Sequence, residues 1–268
     1  MFLFALACVA PPRSQPLAVP IQEKRHVRVR APSSWDGESP IPVVVLLHGL
    51  GSHADQQDRY LRLAGRVPEQ EFMLIAPDAL PRAKDGKRAW NATDFCCTEP
   101  GEHDDVAFLS GLLDEVEPVA ESVHFFGHSN GAFMANRMAC EDDRVDGIAA
   151  LAGGTWDDPG DCRLDRPVDV LVIHGNEDET VPYEGLQGNY PGAVELVERW
   201  SARAGCTTTD IETPRNLLLG HGMETYVQNW MCPDHRVALW TMEGVGHVPV
   251  GKKDFSRDIV AWLLEDER

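Results

Sequence analysis

Short apolar runs recur along the chain and are separated by amphipathic stretches. The runs are rich in Val, Ile and Leu, which is typical of strands buried on both faces of a parallel sheet. We predict such strands over 42–49, 72–78, 122–127, 145–153 and 168–175. Residues 26–32 alternate apolar and polar side chains as an edge strand does. Residues 224–230 and 236–242 are typical of a hairpin, or of a strand with an adjoining arm.

The amphipathic stretches predict helices between the strands. They cover 56–65, 104–116, 132–140, 191–204 and 254–264. Strand–helix alternation of this kind builds a doubly wound, mostly parallel sheet flanked by helices, so the pattern predicts the α/β class. The interval between residues 153 and 168 leaves little room for a large helical cap, whereas residues 206–235 could form a small flap over one side of the sheet.

The composition is that of an ordinary globular domain. The chain has 268 residues, of which 43% are hydrophobic and 25% are charged, and a chain of this size buries a substantial core. No repeat or interdomain linker interrupts residues 21–268, so we expect them to form a single domain. Asp and Glu outnumber Lys and Arg by 43 to 24, which gives a formal net charge of −19. Such a field repels nucleic acid and anionic membranes, so neither is an expected partner.

Residues 1–20 have the character of a leader. An apolar run too short to span a bilayer matches the core of a secretion signal, and a Pro-rich linker follows it. The usual Lys- or Arg-bearing first section is missing, so the signal is either atypical or truncated. Residues 5–8 loosely resemble a bacterial lipoprotein processing site, which makes Cys8 a candidate lipid anchor. We expect an exported protein, either secreted or held in the periplasm or cell envelope.

Disulfides are the expected state of the remaining cysteines. These are Cys96, Cys97, Cys140, Cys162, Cys206 and Cys232. An even number of cysteines in an exported chain favours three disulfides over free thiols, without specifying their connectivity. Adjacent cysteines bond to each other only with backbone strain, so we expect Cys96 and Cys97 to seek distant partners. No cysteine or histidine spacing matches a zinc site, and we expect no metal.

The segment Gly127-His128-Ser129-Asn130-Gly131 has the pattern G-x-S-x-G, directly after a predicted strand and directly before a predicted helix. A nucleophile in this context lies on a strained turn, and small flanking residues avoid backbone clashes. The N-terminus of the following helix favours negative charge developing at the serine. The context predicts a nucleophile elbow with Ser129 as the nucleophile.

A serine hydroxyl needs a base that is itself held by an acid. Where such an elbow occurs, the chain order is Ser, then Asp or Glu, then His. Asp178 is the predicted acid because it lies in a loop just after a strand, and Glu177 is its competitor. His247 is the predicted base because it lies in a glycine-rich loop before the last helix.

Two other histidines lie near these predicted site residues in the sequence. His174 ends a predicted buried strand, where a histidine more often hydrogen-bonds within the core. His128 adjoins the nucleophile, and it either lines the site or packs behind it.

Acyl transfer also requires N–H donors for an oxyanion. The residue after the nucleophile, Asn130, supplies one backbone N–H. The second is expected from Leu50, in the loop after the early strand, where Gly49 and Gly51 permit a sharp turn. A plain glycine turn without a catalytic role is the alternative.

These segments together resemble the polyhydroxybutyrate depolymerase and feruloyl esterase group of the α/β-hydrolases. The matching pieces are LLHGLG at 46–51, APD at 76–78, Trp90-Asn91 with Cys96-Cys97, DDVAFLSGLLDE at 104–115, GHSNGAFMANRMACE at 127–141, HGNEDETVPYEG at 174–185 and GVGH at 244–247. The resemblance implies an α/β-hydrolase fold without a large cap domain, with residues 21–268 as the catalytic domain. It also implies carboxylic-ester hydrolysis without a metal or organic cofactor.

The resemblance further implies a disulfide pattern. Cys206 is expected to pair with Cys232. Cys96 and Cys97 are expected to pair with Cys140 and Cys162 in some order.

The combined interpretation is a serine carboxylic-ester hydrolase that works through an acyl-enzyme. The expected substrates are small, oligomeric or polymeric esters of feruloyl, acetyl or hydroxyalkanoate type. Trp90, His128 and Tyr183 are the candidate substrate-binding residues. Members of the group often have Trp-Pro-Gly after the histidine, whereas this chain has Val248, which argues against an aromatic platform at that edge. A serine peptidase of the same fold and an inactive hydrolase-fold binding protein are the alternatives.

Overall fold

A mixed sheet forms the centre of the computed structural model, which describes residues 25–97, 102–164 and 166–265. The strands are β1 (Val27–Arg30), β2 (Ile41–Leu47), β3 (Met73–Pro77), β4 (Ala120–His128), β5 (Gly147–Leu151), β6 (Asp169–Gly175), β7 (Gly185–Leu186), β8 (Tyr190–Pro191), β9 (Thr208–Ile211), β10 (Thr225–Met231) and β11 (Val237–Met242). Within the described ranges, nine of them form one sheet in the order β1-β3-β2-β4-β5-β6-β11-β10-β9, and β7 pairs with β8 separately. The predicted leader, including Cys8, lies outside the described residues.

The middle of the sheet is parallel and its two edges are antiparallel. Strands β3, β2, β4, β5, β6 and β11 run in one direction. β1 pairs antiparallel with β3, and β9, β10 and β11 form an antiparallel meander at the other edge. The predicted mostly parallel sheet is confirmed. Because the parallel strands share one direction, the loops that follow them meet at one carboxyl edge.

Helices cover both faces of the sheet. They are α1 (Ala54–Leu61), α2 (Val67–Gln70), α3 (Asp105–Val116), α4 (Asn130–Glu141), α5 (Ala193–Arg203) and α6 (Lys253–Leu264). Alternate residues of β2 separate the two layers of core, since Val43 and Val45 pack with α3, α4 and α5, whereas Val44 and Leu46 pack with α1 and α6. This period of two, with both sides apolar, explains why the strand sequence is a continuous apolar run.

The structure differs from the sequence predictions in the end of one helix, in an additional edge strand and in the proposed flap. The helix predicted over 56–65 ends at Leu61, because Arg62 adopts a left-handed φ of 58° and a short 3₁₀ turn follows. Strand β9 was not predicted, and its four residues are all exposed, so they lack the apolar alternation that marks a half-buried strand. Much of the proposed flap over 206–235 therefore belongs to the sheet, as β9 and β10.

In the connection between β5 and β6, the described residues form no cap over the sheet. The described residues of that connection contain a single 3₁₀ turn, Pro159–Asp161, which agrees with the prediction that no large cap domain is present. None of the helices within the described ranges combines the length and hydrophobicity that crossing a membrane requires.

Three disulfides join the six cysteines of the domain. The predicted Cys206–Cys232 bond is present. The other pairing is wrong, because Cys140 bonds to Cys162 and Cys96 bonds to its neighbour Cys97. Cys140 and Cys162 satisfy each other with their Cα atoms 4.8 Å apart, an ordinary separation for a disulfide. Neither is then available to the adjacent pair, whose connecting peptide bond is cis.

Candidate active site

Ser129 lies on the turn between β4 and α4. It has a φ of 56° and a ψ of −123°, and a positive φ is uncommon for a residue other than glycine. A Cβ atom at Gly127 would lie 2.0 Å from the carbonyl oxygen of Gly131, and one at Gly131 would lie 2.3 Å from that of Leu47. The two glycines of the G-x-S-x-G pattern are therefore required by backbone packing on both sides of the serine.

The structure brings Ser129, Asp178 and His247 together at the carboxyl edge. Asp178 follows β6 and His247 follows β11, and these two strands are parallel neighbours. His247 Nδ1 lies 2.7 Å from Asp178 Oδ2, and His247 Nε2 lies 2.9 Å from Ser129 Oγ. Because a carboxylate only accepts, Nδ1 carries the proton and donates it, while Nε2 accepts from the serine hydroxyl. The geometry is that of a nucleophile, a base and an acid.

Asp178 has a buried carboxylate whose charge is balanced by hydrogen bonds. Its Oδ1 accepts from the N–H groups of Thr180 at 2.8 Å and Val181 at 2.9 Å. Its Oδ2 accepts from both His247 and His174. Burial raises the pKa of Asp178, but the hydrogen bonds from the two imidazoles and the Val181 N–H outweigh burial and hold that pKa below its usual range. The carboxylate is therefore ionised at neutral pH.

His174 and Glu177 have different positions around this acid. His174 is buried, and its Nε2 lies 2.8 Å from the carbonyl oxygen of Val181 and 3.2 Å from Asp178 Oδ2. Both of these atoms are acceptors, so Nε2 carries the proton of His174. Glu177 is exposed, and its backbone N–H donates to the carbonyl of Val245 at 3.0 Å. The side chain bonded to the His247 imidazole is thus that of Asp178.

The loop that carries Leu50 packs against Ser129. A Cβ atom at Gly49 would lie 3.3 Å from the Ser129 Cβ. The carbonyl oxygen of Gly49 accepts from His48 Nδ1 at 2.8 Å and from the Ser52 N–H at 3.1 Å. In a trans peptide the next N–H points the opposite way, so these two bonds direct the Leu50 N–H away from His48. In the described part of the chain that N–H has no acceptor.

The other candidate oxyanion donor begins a helix. Asn130 is the first residue of α4, and the N–H groups of a first helical turn have no partner within the helix. Its side chain is buried, where Oδ1 accepts from the Trp90 N–H at 2.7 Å and Nδ2 donates to the Trp90 carbonyl at 2.9 Å. The side chain thus fixes the start of the helix, and the backbone N–H remains available.

Trp90 is not a substrate-binding residue, which corrects the sequence prediction. Its side chain is 0% exposed, and its indole N–H donates to the carbonyl of His48 at 3.0 Å. The ring packs beneath the loop of Leu50. A tryptophan that follows a polar loop gives no local indication of which way its ring turns.

Tyr183 and His128 also pack behind the site. The hydroxyl of Tyr183 is 2.8 Å from Thr241 Oγ1, and its ring contacts that of His174 edge-on at 5.6 Å. His128 is 8% exposed, and its Nε2 lies 3.0 Å from the carbonyl oxygen of His247. Of the two alternatives considered for His128, the structure favours packing.

An aromatic residue that the sequence did not single out lies beside the elbow. Phe95 is 41% exposed, and its ring lies 4.9 Å from that of Tyr190 and 6.4 Å from that of Phe133. The adjacent Cys96 is 3.6 Å from the side-chain nitrogen of Asn130. Phe95 thus presents one ring to solvent close to the first turn of α4, the helix that begins just after Ser129. Its place before the double cysteine was the only signal in the sequence.

The carboxyl edge is distinct from a groove at the opposite edge of the sheet. That groove has a volume of about 680 Å³ and is lined by residues that include Asp169, Arg166 and His235, but by none of the three convergent residues. Among residues 25–97, 102–164 and 166–265, no cluster of three or more His, Cys, Asp or Glu side chains could hold a metal ion.

The sheet order and the serine turn define the α/β-hydrolase fold. Acetyl xylan esterase from Aspergillus awamori has the same fold, with a TM-score of 0.62 over 90% of this chain and 94% of that chain, at 16% identity. At this identity the likeness concerns the fold alone.

Sequence comparison shows which proteins of this fold the chain is similar to. No family model matches the chain. The chain is 27% identical over 242 residues to feruloyl esterase B of Piromyces equi, a match that covers 83% of this chain and 42% of that protein. It is 28% identical over 247 residues to NocK of Nocardia uniformis subsp. tsuyamanensis, which is named as an esterase, with 83% of this chain and 68% of that protein covered. The chain is therefore similar to feruloyl esterases and spans less than half the length of the first of these relatives.

Proposed function

We propose that the chain hydrolyses carboxylic esters through an acyl-enzyme formed on Ser129. The observation that carries the proposal is the continuous hydrogen-bonded path from Asp178 through His247 to the serine hydroxyl, with separations of 2.7 Å and 2.9 Å. A serine, imidazole and carboxylate in this order make the hydroxyl nucleophilic at neutral pH. The names of the relatives, feruloyl esterase and esterase, support an ester rather than an amide as the substrate.

Acylation begins when Ser129 Oγ attacks the ester carbonyl carbon. The hydroxyl proton moves to His247 Nε2 as the new C–O bond forms, and the carbonyl oxygen becomes an oxyanion. The N–H groups of Leu50 and Asn130 donate to that oxyanion. The bond to the alcohol then breaks, and His247 returns its proton to the leaving oxygen, which releases the alcohol.

Deacylation repeats these proton transfers with water. A water molecule gives a proton to His247 Nε2 and attacks the acyl carbon, and a second oxyanion forms between the same two donors. The bond to Ser129 Oγ breaks and the oxygen recovers its proton from the imidazole, which releases the carboxylic acid. Throughout the cycle Asp178 holds the Nδ1 proton of His247 and stabilises the transient imidazolium.

The finer proposal is an aromatic acyl group of the hydroxycinnamoyl type. The half-exposed ring of Phe95 beside the elbow, backed by the ring of Tyr190 at 4.9 Å, supports it, because planar groups stack on such rings. The name of the Piromyces relative supports the same class. Acetyl and hydroxyalkanoate esters are the competing substrates, and neither gains from an aromatic platform.

A Ser129→Ala variant tests the ester-hydrolase proposal. We expect loss of methyl ferulate turnover by roughly 10⁵-fold or more, and loss of labelling by a fluorophosphonate probe. Ser34→Ala, at an exposed position after β1, is the control and keeps both activities. Equal turnover by Ser129→Ala and the wild-type chain contradicts the proposal. Amidase activity that exceeds esterase activity supports a peptidase instead, and an unlabelled wild-type serine supports an inactive binding protein.

A Phe95→Ala variant tests the acyl class separately. We expect kcat/KM for methyl ferulate to fall by roughly tenfold, with hydrolysis of a small acetate ester unchanged, because only the aromatic acyl group loses a ring contact. Ile211→Ala, which removes a 67% exposed side chain on β9, is the matched control. A parallel fall for both esters contradicts the aromatic subsite but leaves ester hydrolysis intact.

Export from the cytoplasm completes the proposal. The Cys140–Cys162 and Cys206–Cys232 bonds support it, since disulfides persist in oxidising compartments. Fractionation of cells that express the full chain tests export, and recovery only from the cytosol contradicts it. Incorporation of a fatty-acid label by the wild-type chain but not by Cys8→Ser is the result expected of a lipid anchor.

A further inference from the structure

His128 connects three loops of the candidate active site. It ends β4 immediately before the nucleophile, and its side chain is largely buried. Its Nε2 lies 3.0 Å from the backbone carbonyl oxygen of His247. A Cβ atom at Gly49 would lie 3.5 Å from its Nδ1. The side chain therefore contacts the loop of the base and the loop of the oxyanion donor while it is covalently joined to the nucleophile.

Tyr60 extends this contact from the opposite side. It belongs to α1, and its hydroxyl donates to the carbonyl oxygen of Pro249 at 2.8 Å. Its ring lies 5.4 Å from that of His128. Two side chains in mutual contact thus bind two carbonyls of the segment 247–249, one of which belongs to the base itself.

We infer that His128 and Tyr60 act as a clamp, in which His128 is a positioning residue that holds the imidazole of His247 against Ser129 and Asp178. The inference rests on the proposed function and adds to it a source of rigidity for the base. No proton of the reaction passes through either clamp residue.

The proton positions agree with this role. A carbonyl oxygen only accepts, so His128 Nε2 carries a proton and donates a hydrogen bond to the backbone carbonyl oxygen of His247. Burial is the main cause that lowers the pKa of His128, to about 4, and a neutral ring does not repel an imidazolium formed at His247, whose ring is 5.2 Å away. Burial raises the pKa of Tyr60, so its hydroxyl remains a donor.

The base loop has reason to need such a clamp. Val248 and Val250 are 58% and 59% exposed, whereas Pro249 between them is buried and its carbonyl oxygen accepts the hydrogen bond from Tyr60. Val245 before the base is buried, and beyond it the carbonyl oxygen of Val250 accepts from the N–H of Leu219 at 2.8 Å, so the loop is fixed at both ends and the clamp acts on the residues between them. A displacement of about 1 Å in a reacting group can cost about 10²-fold in rate, so the two hydrogen bonds to the carbonyls of His247 and Pro249 bear directly on turnover.

The test compares three variants with matched burial. His128→Met keeps the volume and removes the donor, whereas His128→Gln keeps an amide N–H at similar reach. His124→Met is the control, because His124 is a buried histidine four residues earlier on the same strand, where it lines the groove at the opposite edge of the sheet. We expect kcat for methyl ferulate to fall roughly 10²-fold in His128→Met with KM little changed. His128→Gln is expected to recover most of kcat, and His124→Met to lower thermal stability without changing kcat.

A readout without substrate separates this inference from the proposed function. The Nδ1–H of His247, bonded to Asp178, is expected to give a low-field proton resonance in the wild-type chain and in His128→Gln. We expect that resonance to broaden or vanish in His128→Met, and Tyr60→Phe to have the same effect in smaller degree. An unchanged resonance in His128→Met overturns the clamp whether or not the chain hydrolyses esters. A kcat of His128→Met equal to that of His124→Met, in an active enzyme, overturns it as well.

Discussion

Strand β6 has an aspartate–histidine pair at each of its ends. Asp169 is its first residue, and its Oδ1 lies 3.3 Å from His235 Nδ1. Asp178 lies three residues past its last residue, and its Oδ2 lies 2.7 Å from His247 Nδ1. In each pair a carboxylate oxygen faces the Nδ1 atom of an imidazole, and both pairs flank the same two neighbouring strands. Their surroundings differ.

The permanent charge near each carboxylate is the first difference. Asp169 accepts from the guanidinium of Arg236 at 3.0 Å and 2.8 Å and remains partly exposed. The side chain of Asp178 is 0% exposed, and among the described residues it accepts hydrogen bonds from backbone N–H groups and imidazoles. A carboxylate whose charge is neutralised by arginine stabilises a neighbouring imidazolium only weakly. A carboxylate balanced by neutral dipoles stabilises it strongly.

The far side of each imidazole is the second difference. His247 accepts from the hydroxyl of Ser129 through Nε2. Among the described residues, the His235 ring forms one hydrogen bond, and its partner is Asp169. An aspartate–histidine pair is therefore not catalytic in itself. It acquires a role from a buried, uncompensated carboxylate and from a third group that only the carboxyl edge of the sheet supplies.

Replacing each of the two aspartates with asparagine is expected to give the largest difference in kcat. Asp178→Asn is isosteric, but its amide leaves the His247 tautomer unfixed and removes the charge that stabilises the imidazolium. We expect kcat for methyl ferulate to fall by roughly 10⁴-fold, whereas Asp169→Asn changes kcat less than twofold and lowers only stability. Steady-state kinetics with both purified variants decide the matter. Similar losses in the two variants would mean that the pairs do not differ in kind.

Of the two pairs, the sequence predicted only the one formed by Asp178 and His247. Asp178 and His247 were identifiable because each follows a strand, and the ends of parallel strands meet at one edge. The elbow was identifiable because the pattern G-x-S-x-G at Gly127–Gly131 lies directly between a predicted strand and a predicted helix. All of these signals are properties of single segments or of the order of segments.

The missed features depend on contacts between distant segments. His128 meets the carbonyl of a residue 119 positions away, and Trp90 donates to a carbonyl 42 positions away. Neither direction is encoded in the local pattern of apolar and polar residues. The Cys96–Cys97 bond was missed for a related reason, since Cys140 of α4 meets Cys162 through packing against the connection between β5 and β6.

The buried histidines of the carboxyl edge predict a dependence of stability on pH. Burial is the main cause that lowers the pKa of His48 and His128 to about 4 in the folded state. In the unfolded chain a histidine titrates near 6.5, so between these values the unfolded state binds more protons and folding stability falls as the pH falls. We expect each histidine to cost about 2 kcal/mol between about pH 7 and about pH 5.

Urea denaturation at the two pH values measures this effect, and His128→Gln provides the control. The variant lacks one of the two titrating groups, so its loss of stability is expected to be smaller than that of the wild-type chain by about 2 kcal/mol. An equal pH dependence in the variant and the wild-type chain would show that His128 does not titrate differently in the folded and unfolded states.

The smallest expected effect is an increase in stability, and it comes from a glycine whose backbone is not closely packed. A Cβ atom at Gly131 meets the backbone of β2 at 2.3 Å, whereas one at Gly111, within α3, has nothing within 4 Å. Glycine in a helix interior costs about 0.5–1 kcal/mol relative to alanine, because the unfolded chain loses more freedom on folding. We therefore expect Gly111→Ala to raise the free energy of unfolding by that amount, with an unchanged urea m-value and unchanged kcat. A lower free energy of unfolding in Gly111→Ala would indicate that the position is closely packed. The carboxyl edge would then not differ from the flanking helices in how tightly its backbone is packed.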